Sequence, residues 1–234
     1  MPFGFGFDPT FILLLPAMAF ALWAQFKVKN TYEKFAEVPS ASGVTGRDMA
    51  RAIMNRNGVS DVNVEAVGGV LSDHYDPGAR TVRLSEGNYG GRSIAAIAVA
   101  AHEVGHVLQD KQGYLPMRLR SQFVPVANLG STLAMPMFFI GMLFGAKTPF
   151  GPFLMDLGIL FFAAAVLFHV VTLPVEFDAS NRALAQLTES GAVMPQEVAG
   201  AKKVLDAAAL TYIAAAAMAA LQLIRLVLLR NSRR

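Results

Sequence analysis

Two of the 4 histidines in this chain, His102 and His106, are separated by three residues, and Glu103 directly follows the first. On a helix, residues four apart lie on one face about 6 Å apart, so both imidazoles can reach one metal ion. Glu103 points roughly 100° further around the helix, where it can contact a water on that ion rather than the ion itself. This HExxH pattern predicts a zinc site with Glu103 as the general base, acting on a water whose pKa zinc lowers to about 7.

A catalytic zinc site usually has three protein ligands, so one more must come from elsewhere in the chain. The sequence has no cysteine, which leaves histidine, aspartate and glutamate. The candidates are His74, His169, Glu65, Asp73, Asp76, Glu86 and Glu176. Glu176 is favoured because it begins a helix just after Pro174, where the direction of a side chain is well set. The acids that precede the HExxH helix instead lie in turns or at strand ends.

Four apolar segments have about the length that a membrane-spanning helix needs. They cover residues 10–26, 123–145, 153–175 and 204–229. The second and third segments form a hairpin whose outer ends lie on the same side of the membrane. Because the HExxH helix precedes this hairpin and Glu176 follows it, both reach one surface. The predicted fold class is a membrane α-helical protein with about four transmembrane helices and a small α+β unit.

The region between the first two apolar segments contains most of the charge and is typical of this α+β unit. A capped helix begins at Thr45. Alternating residues predict short strands over 62–67, 69–74 and 81–84, with a turn at Asp76-Pro77-Gly78. A loop over 86–91 then leads into a long helix over 93–111, which contains the HExxH pattern.

The first apolar segment lacks the basic leading region of a signal peptide and ends at Lys27, which predicts an anchor that is retained. Five regions are expected: an N-terminal transmembrane anchor over 1–26, a polar zincin-like unit over 27–122, a transmembrane hairpin over 123–175, a helical segment with the third metal ligand over 176–203, and a C-terminal transmembrane helix with a basic tail over 204–234.

The distribution of charge argues against a nucleic-acid partner and predicts an orientation in the membrane. The net charge is +3, but no basic cluster is interleaved with exposed aromatic residues. Eight basic residues lie near segment ends on the side of the HExxH helix: Lys27, Lys29, Lys34, Arg118, Arg120, Arg182, Lys202 and Lys203. Five lie on the other side: Lys147, Arg225, Arg230, Arg233 and Arg234. This excess predicts an active site on the cytoplasmic side of the membrane.

The chain resembles the bacterial membrane zinc metallopeptidases of the YugP type, the neutral zinc metallopeptidase family, over nearly its whole length. The resemblance is strongest in the segments 72–77, 82–87, 100–106, 173–177 and 200–210. It implies zinc on His102, His106 and Glu176, with Glu103 as the base, in an integral protein of the bacterial cytoplasmic (inner) membrane.

A more distant similarity joins this chain to the gluzincin proteases of the CAAX-processing and HtpX type, in which HExxH pairs with a later ExxAD. Ser180 stands where that group has the aspartate, so the role of that aspartate does not carry over. Asp178 would substitute for it only with a different geometry.

Several other residues have both a functional and a structural interpretation. By resemblance to zincins, the strand over 80–84 is either an edge strand that pairs with the substrate backbone or an ordinary strand of the sheet. His74, Tyr75 and Arg182 either donate to the oxyanion that forms during hydrolysis or have structural roles. His169 lies inside an apolar segment, as either a buried, hydrogen-bonded histidine or a functional one.

These patterns together predict a membrane-embedded zinc metallopeptidase. Its partners are polypeptide substrates, membrane proteins among them, and the lipid bilayer. The alternative is a non-enzymatic assembly or quality-control factor with a structural zinc, which a fourth protein ligand such as His74 or Asp178 would indicate. A transporter is less favoured, because only His169 lies at depth and no pair of Gly/Pro-broken helices is present.

Overall fold

The computed structural model describes residues 8–145, 148–191 and 193–232. Four of its helices are long and apolar enough to cross a membrane, and a three-stranded sheet is also present. This confirms the predicted fold class. Lys147, Arg233 and Arg234, which enter the predicted topology, and residues 1–7 of the predicted anchor lie outside the described residues. The division into five regions stays a prediction.

The described elements follow one another along the chain in a simple order. A short 3-10 helix over Pro9–Leu14 precedes α1. The α-helices are α1 (Leu15–Ala36), α2 (Gly46–Arg56), α3 (Glu86–Tyr89), α4 (Ile94–Lys111), α5 (Leu115–Phe144), α6 (Phe150–Glu189) and α7 (Pro195–Asn231). The strands are β1 (Asn63–Val67), β2 (His74–Asp76) and β3 (Thr81–Ser85), all between α2 and α3.

The chain divides into two compact units. The first, here the helical unit, comprises the described parts of Met1–Trp23, Leu119–Thr172 and Tyr212–Arg234. The second, here the mixed unit, comprises Ala24–Arg118 and Leu173–Thr211 and contains the sheet.

Glycines allow the backbones of α5 and α6 to approach closely within the helical unit. A Cβ atom at Gly130 would lie 2.6 Å from the carbonyl oxygen of Phe161, and one at Gly158 would lie 2.7 Å from that of Ala134. Small residues at such crossings are typical of packed membrane helices, whose association depends on close backbone approach.

Ion pairs accommodate charged side chains of the helical unit. The Arg225 guanidinium donates to the Asp8 carboxylate at 2.7 Å, and Arg230 donates two hydrogen bonds to Asp156. Pairing of this kind is how ionisable groups are tolerated in or near apolar segments.

Helix α4 forms the centre of the mixed unit. The side chain of Ser93 accepts a hydrogen bond from the backbone NH of Ala96 and caps the helix, while Gly113 follows its end with a φ of +64°. Most of the residues of α4 are buried, because α2, the sheet and the C-terminal part of α6 all contribute to the same core. The largest fully buried side chains of this core are Met49, Ile53, Val82, Leu84, Ile97, Val104, Val107, Val175 and Leu187. The HExxH residues are therefore carried into the protein interior.

The second predicted strand, over 69–74, is wrong: β2 spans His74–Asp76 instead. Gly69 and Leu71 both have positive φ, which interrupts extended backbone. Asp73 then turns its carboxylate towards Ser85, accepting from its backbone NH at 2.7 Å. An extended strand therefore begins only after this reversal.

The order of the strands shows which of the two interpretations of the strand over 80–84 is right. The strand predicted over 80–84 corresponds to β3, which lies at the centre of the sheet, parallel to β1 and antiparallel to β2. Both of its edges are hydrogen-bonded within the sheet, so it is an ordinary strand and not an edge strand that could pair with substrate. The loop predicted over 86–91 is also partly helical, because α3 covers its first four residues.

Candidate metal centre

The two histidines of the HExxH pattern lie on one face of α4. Their ring centroids are 4.8 Å apart, and the planes of the two rings are nearly perpendicular. His106 is buried and His102 is nearly so. The helical spacing therefore brings two imidazole nitrogens towards a common point inside the protein.

Glu176 of α6 completes the group. Its Oε2 lies 3.3 Å from His102 Nε2 and 3.6 Å from His106 Nε2, and the three donor atoms all lie within 4.8 Å of one another. Ligands held about 2.0–2.1 Å from a tetrahedral zinc are separated by about 3.3 Å, close to the 3.3 and 3.6 Å between the carboxylate oxygen and the two imidazole nitrogens. The donor set, two imidazoles and one carboxylate, is also one that catalytic zinc sites use.

A glycine determines how closely α4 and α6 can approach. A side chain at Gly105 would clash with the carbonyl oxygen of Ala179. Because Gly105 precedes His106 and Ala179 follows Glu176 by three residues, the closest contact of the two helices lies beside the donor atoms. The absence of a side chain at Gly105 thus lets the carboxylate reach both histidines.

A buried glutamine determines which nitrogen of His106 carries the proton. Gln109 Nε2 donates to the carbonyl oxygen of Val175 at 2.7 Å and to Asp178 Oδ2 at 2.8 Å, so the amide orientation is fixed. Gln109 Oε1 therefore faces His106 Nδ1 at 3.0 Å and must accept from it. In the neutral ring, the Nε2 of His106 is then unprotonated and directed at Glu176, and this tautomer is the one that binds a metal through Nε2.

His102 has a corresponding partner in Ser180, whose Oγ lies 3.1 Å from His102 Nδ1. An Nδ1–H donating to Ser180 leaves Nε2 of His102 for the metal, as a second hydrogen bond does for most metal-bound histidines. Ser180 thus contacts a candidate ligand although it stands where the distant gluzincins have aspartate. Asp178 reaches His106 only through Gln109, and it also pairs with Arg182.

We expect Gln109→Ala to lower the affinity for zinc by roughly 10–100-fold, because the His106 ring loses the acceptor that fixes its tautomer and orientation. Gln112→Ala is the matched control: Gln112 is three residues further along and accepts from Arg182, but it does not contact a histidine. Zinc affinity is measured by competition with a chromogenic chelator. Equal affinities of Gln109→Ala and the wild type would contradict this positioning role.

Glu103 lies in the interior beside the three donors. Its side chain is buried, and burial raises the pKa of the carboxyl above its ordinary value. The nearby charges of Glu176 and Asp73 act in the same direction, while the two histidines oppose it. A carboxyl whose pKa is raised is suited to accept and return a proton near neutral pH.

The pKa of His106 shows how strongly Glu176 acts at this place. Burial opposes a charge on the imidazole, but the hydrogen bond and negative charge of Glu176 outweigh burial and raise the pKa. A cation between these groups is therefore favoured electrostatically. A proton there would have to leave before a metal could bind.

The other acids that were considered as a third ligand are not brought to the histidines. Asp73 accepts hydrogen bonds from Ser85 and Asn88, while Asp76 pairs with Arg83 and forms the predicted turn. Glu65 lies on β1, with Arg83 Nε at 3.7 Å, and Glu86 is an exposed residue of the first turn of α3.

The candidate oxyanion donors also have other contacts. The Tyr75 hydroxyl donates to Asp110 at 2.9 Å, and the exposed His74 has its Nδ1 2.8 Å from the carbonyl oxygen of Ser72. Arg182 donates to Asp178 and Gln112 and lies over the ring of Tyr114. These contacts favour structural roles for all three. His169 belongs to the helical unit and is not a member of the donor group.

The contacts of Gln109 and Ser180 with the two histidines were not predicted from the sequence. Gln109 carried a usable signal, since it lies three residues after His106 and hence on the same face of the helix. The contact of Ser180 with His102 joins residues 78 positions apart and has no local signature.

Comparison with known proteins identifies the family of the chain. A family model described as "Putative neutral zinc metallopeptidase" matches residues 10–231. "Putative membrane protease YugP" of Bacillus subtilis (strain 168) is 48% identical over 217 residues, which are 93% of this chain and 94% of that protein. No solved structure matches the chain significantly. The chain belongs to the neutral zinc metallopeptidase family, and zinc is the metal that its two histidines and one glutamate fit.

Proposed function

We propose that this protein hydrolyses peptide bonds, with His102, His106 and Glu176 as zinc ligands and Glu103 as the general base. The observation that carries this proposal is the convergence of three donor atoms, all within 4.8 Å of one another, beside a buried carboxylate whose pKa is raised. An HExxH helix joined by a distant glutamate is the ligand arrangement of the gluzincins, which the chain resembles.

Zinc bound here would polarise the substrate carbonyl and lower the pKa of the attacking water. Glu103 then takes a proton from that water as its oxygen attacks the carbonyl carbon. When the carbon–nitrogen bond breaks, Glu103 returns the proton to the leaving amine. Gln109 and Ser180 hold the two imidazoles in the required tautomer throughout.

The alternative, a structural zinc in a non-enzymatic assembly factor, requires a fourth protein ligand. Within the described ranges, the group of potential metal-binding side chains that includes His102 has three members. His74 contacts Ser72, and Asp178 is occupied by Gln109 and Arg182. The position that a fourth ligand would fill is therefore left for water, which supports an enzyme.

The position of Glu176 along its helix supports a proposal about the class of substrate. The carboxylate directly follows the apolar segment 153–175 of α6 and precedes a polar continuation of the same helix. We therefore propose that the substrates are polypeptides at the membrane surface, membrane proteins among them.

The proposed activity is tested by cleavage of casein by the purified full-length protein in detergent. We expect cleavage by the zinc-loaded protein, its loss after treatment with 1,10-phenanthroline, and its return when zinc is added in excess over the chelator. The substrate is an unfolded chain, so that folding of the substrate does not limit the rate. Cleavage that persists in protein shown by mass spectrometry to be free of zinc would contradict a zinc-dependent mechanism.

We propose a cytoplasmic orientation of the site, because the predicted excess of basic residues lies on its side. The chain has no cysteine, so single cysteines introduced at the exposed positions Ser60 and Thr148 report topology directly. In intact cells, a membrane-impermeant maleimide should label Thr148→Cys, and Ser60→Cys should react only after permeabilisation. The reverse pattern would contradict this orientation.

A further inference from the structure

A groove with a volume of about 440 Å³ lies between α1 and α7 within the mixed unit. It is lined by Lys27, Thr31, Lys34, Phe35, Lys203, Asp206, Ala207 and Leu210. The four residues from α1 and the four from α7 are each spaced as one face of a helix. We call this feature the α1–α7 groove. None of its residues belongs to the candidate metal centre.

The charge of the α1–α7 groove is positive. Within the described ranges, Lys27, Lys34 and Lys203 form no salt bridge with a carboxylate. The groove has one acidic residue, Asp206, and Lys202 neutralises it through hydrogen bonds of 2.6 and 2.9 Å. Three lysine ammonium groups without a carboxylate partner therefore line one groove, and their charge attracts an anion.

The lysines mark the places where the two helices change from apolar to polar. Lys27 directly follows the apolar segment 10–26 of α1, and Lys203 directly precedes the apolar segment 204–229 of α7. In a membrane, these positions lie at the level of the lipid headgroups. Ala207 and Leu210 extend the wall of the groove from Lys203 into the apolar part of α7. The groove therefore combines cationic side chains with an apolar wall on α7, and a phospholipid offers a charged group and an apolar chain to match both.

We propose that the α1–α7 groove binds an anionic phospholipid, with its phosphate among Lys27, Lys34 and Lys203 and its acyl chains towards Leu210. Basic pockets between membrane helices recognise such headgroups by charge, whereas a zwitterionic headgroup adds a cation that three lysines repel. The apolar wall distinguishes a lipid from a soluble phosphate, which would gain nothing from Ala207 and Leu210.

The single tryptophan of the chain provides a probe for this site. Trp23 is exposed and lies four residues before Lys27, on the same face of α1. The full-length protein is reconstituted into phosphatidylcholine vesicles that contain increasing fractions of brominated phosphatidylglycerol, and quenching of Trp23 fluorescence is measured. Brominated phosphatidylcholine at the same fractions gives the reference. We expect phosphatidylglycerol to quench at much lower fractions than phosphatidylcholine.

The matched variants remove equal charge inside and outside the groove. Lys27→Gln/Lys203→Gln should lower the preference for phosphatidylglycerol at least tenfold, since each lysine near an anionic surface contributes roughly fivefold. Arg51→Gln/Arg92→Gln, exposed in the same unit, outside the groove and distant in sequence from the ends of the apolar segments, should change it less than twofold. Asp206→Asn removes the acidic residue of the groove and should increase the preference. This opposite sign separates lipid binding from a loss of folding.

Three results would overturn the proposal. One is equal quenching of the wild type by phosphatidylglycerol and phosphatidylcholine, and another is an equal loss of preference in the two double variants. The third is relief of quenching by soluble glycerol phosphate at the concentration of the lipid, which would identify a site for aqueous anions. Casein cleavage is a separate readout, so failure of this proposal leaves the proposed peptidase activity untouched.

Discussion

Glu103→Gln is expected to retain a full complement of zinc and to lose about 10²–10⁴-fold in kcat, which is the usual effect of removing a general base. The amide has nearly the size of the carboxylate, so the buried position stays filled and the three donor atoms stay in place. It cannot, however, accept the proton of the attacking water. Casein cleavage and zinc content are measured on the same preparation.

Glu86→Gln is the control for this variant. Glu86 belongs to the same unit and was a candidate ligand, but it is exposed and is not a member of the donor group. We expect both its zinc content and its activity to match the wild type. Full activity in Glu103→Gln would exclude the proposed base, and loss of zinc from that variant would make Glu103 a ligand instead.

Glu176→Ala should weaken zinc binding by tenfold or more. The substitution removes one of three donors and leaves two imidazoles without the carboxylate that contacts them both. Glu176→Asp should also impair activity, because it retracts the carboxylate by about 1.5 Å, one carbon–carbon bond. Zinc content of the purified variants is measured by mass spectrometry.

Glu189→Ala provides the comparison on the same helix, since Glu189 is exposed and contacts Gln186 rather than a histidine. It is expected to bind zinc like the wild type. Full zinc occupancy in Glu176→Ala would rule out the third ligand and direct attention to another carboxylate. That outcome is informative because His102 and His106 cannot by themselves form a complete catalytic site.

The helices of this protein could be predicted from sequence because their signals are local. Long apolar segments predicted the four candidate spans, and the HExxH spacing predicted one helical face with two histidines. The helix predicted over 93–111 begins one residue before α4 and ends at the same residue. Each of these signals depends on neighbours along the chain.

The sheet was harder to predict because its pairing is not local. Strand β3 lies between β1 and β2 only because the chain after β1 crosses to the far side of the sheet before β3 returns to the centre. The positive φ of Leu71, which delays the start of β2, follows from the tertiary structure and not from leucine itself. An edge strand and a central strand of five residues have the same alternating pattern.

At the candidate site, too, some features could be predicted from the sequence, whereas contacts between distant residues could not. The prediction that Glu176 begins a helix is wrong, because α6 continues through Pro174. Glu176 was still predictable, because a hairpin of two membrane-spanning helices returns the chain to the side on which it entered. The orienting contacts of His102 and His106 depend on the approach of α4 and α6 at Gly105, where backbone meets backbone. Sequence indicates that a glycine is present at that position but not which carbonyl group lies against it.

The central claim is tested most directly by locating the metal with anomalous diffraction at the zinc edge on crystals of the full-length protein. We expect one anomalous peak in the mixed unit, about 2.0–2.2 Å from His102 Nε2, His106 Nε2 and a carboxylate oxygen of Glu176. No fourth protein atom should lie within that distance. A peak elsewhere, or a fourth protein ligand such as His74 or Asp178, would contradict an open catalytic zinc site.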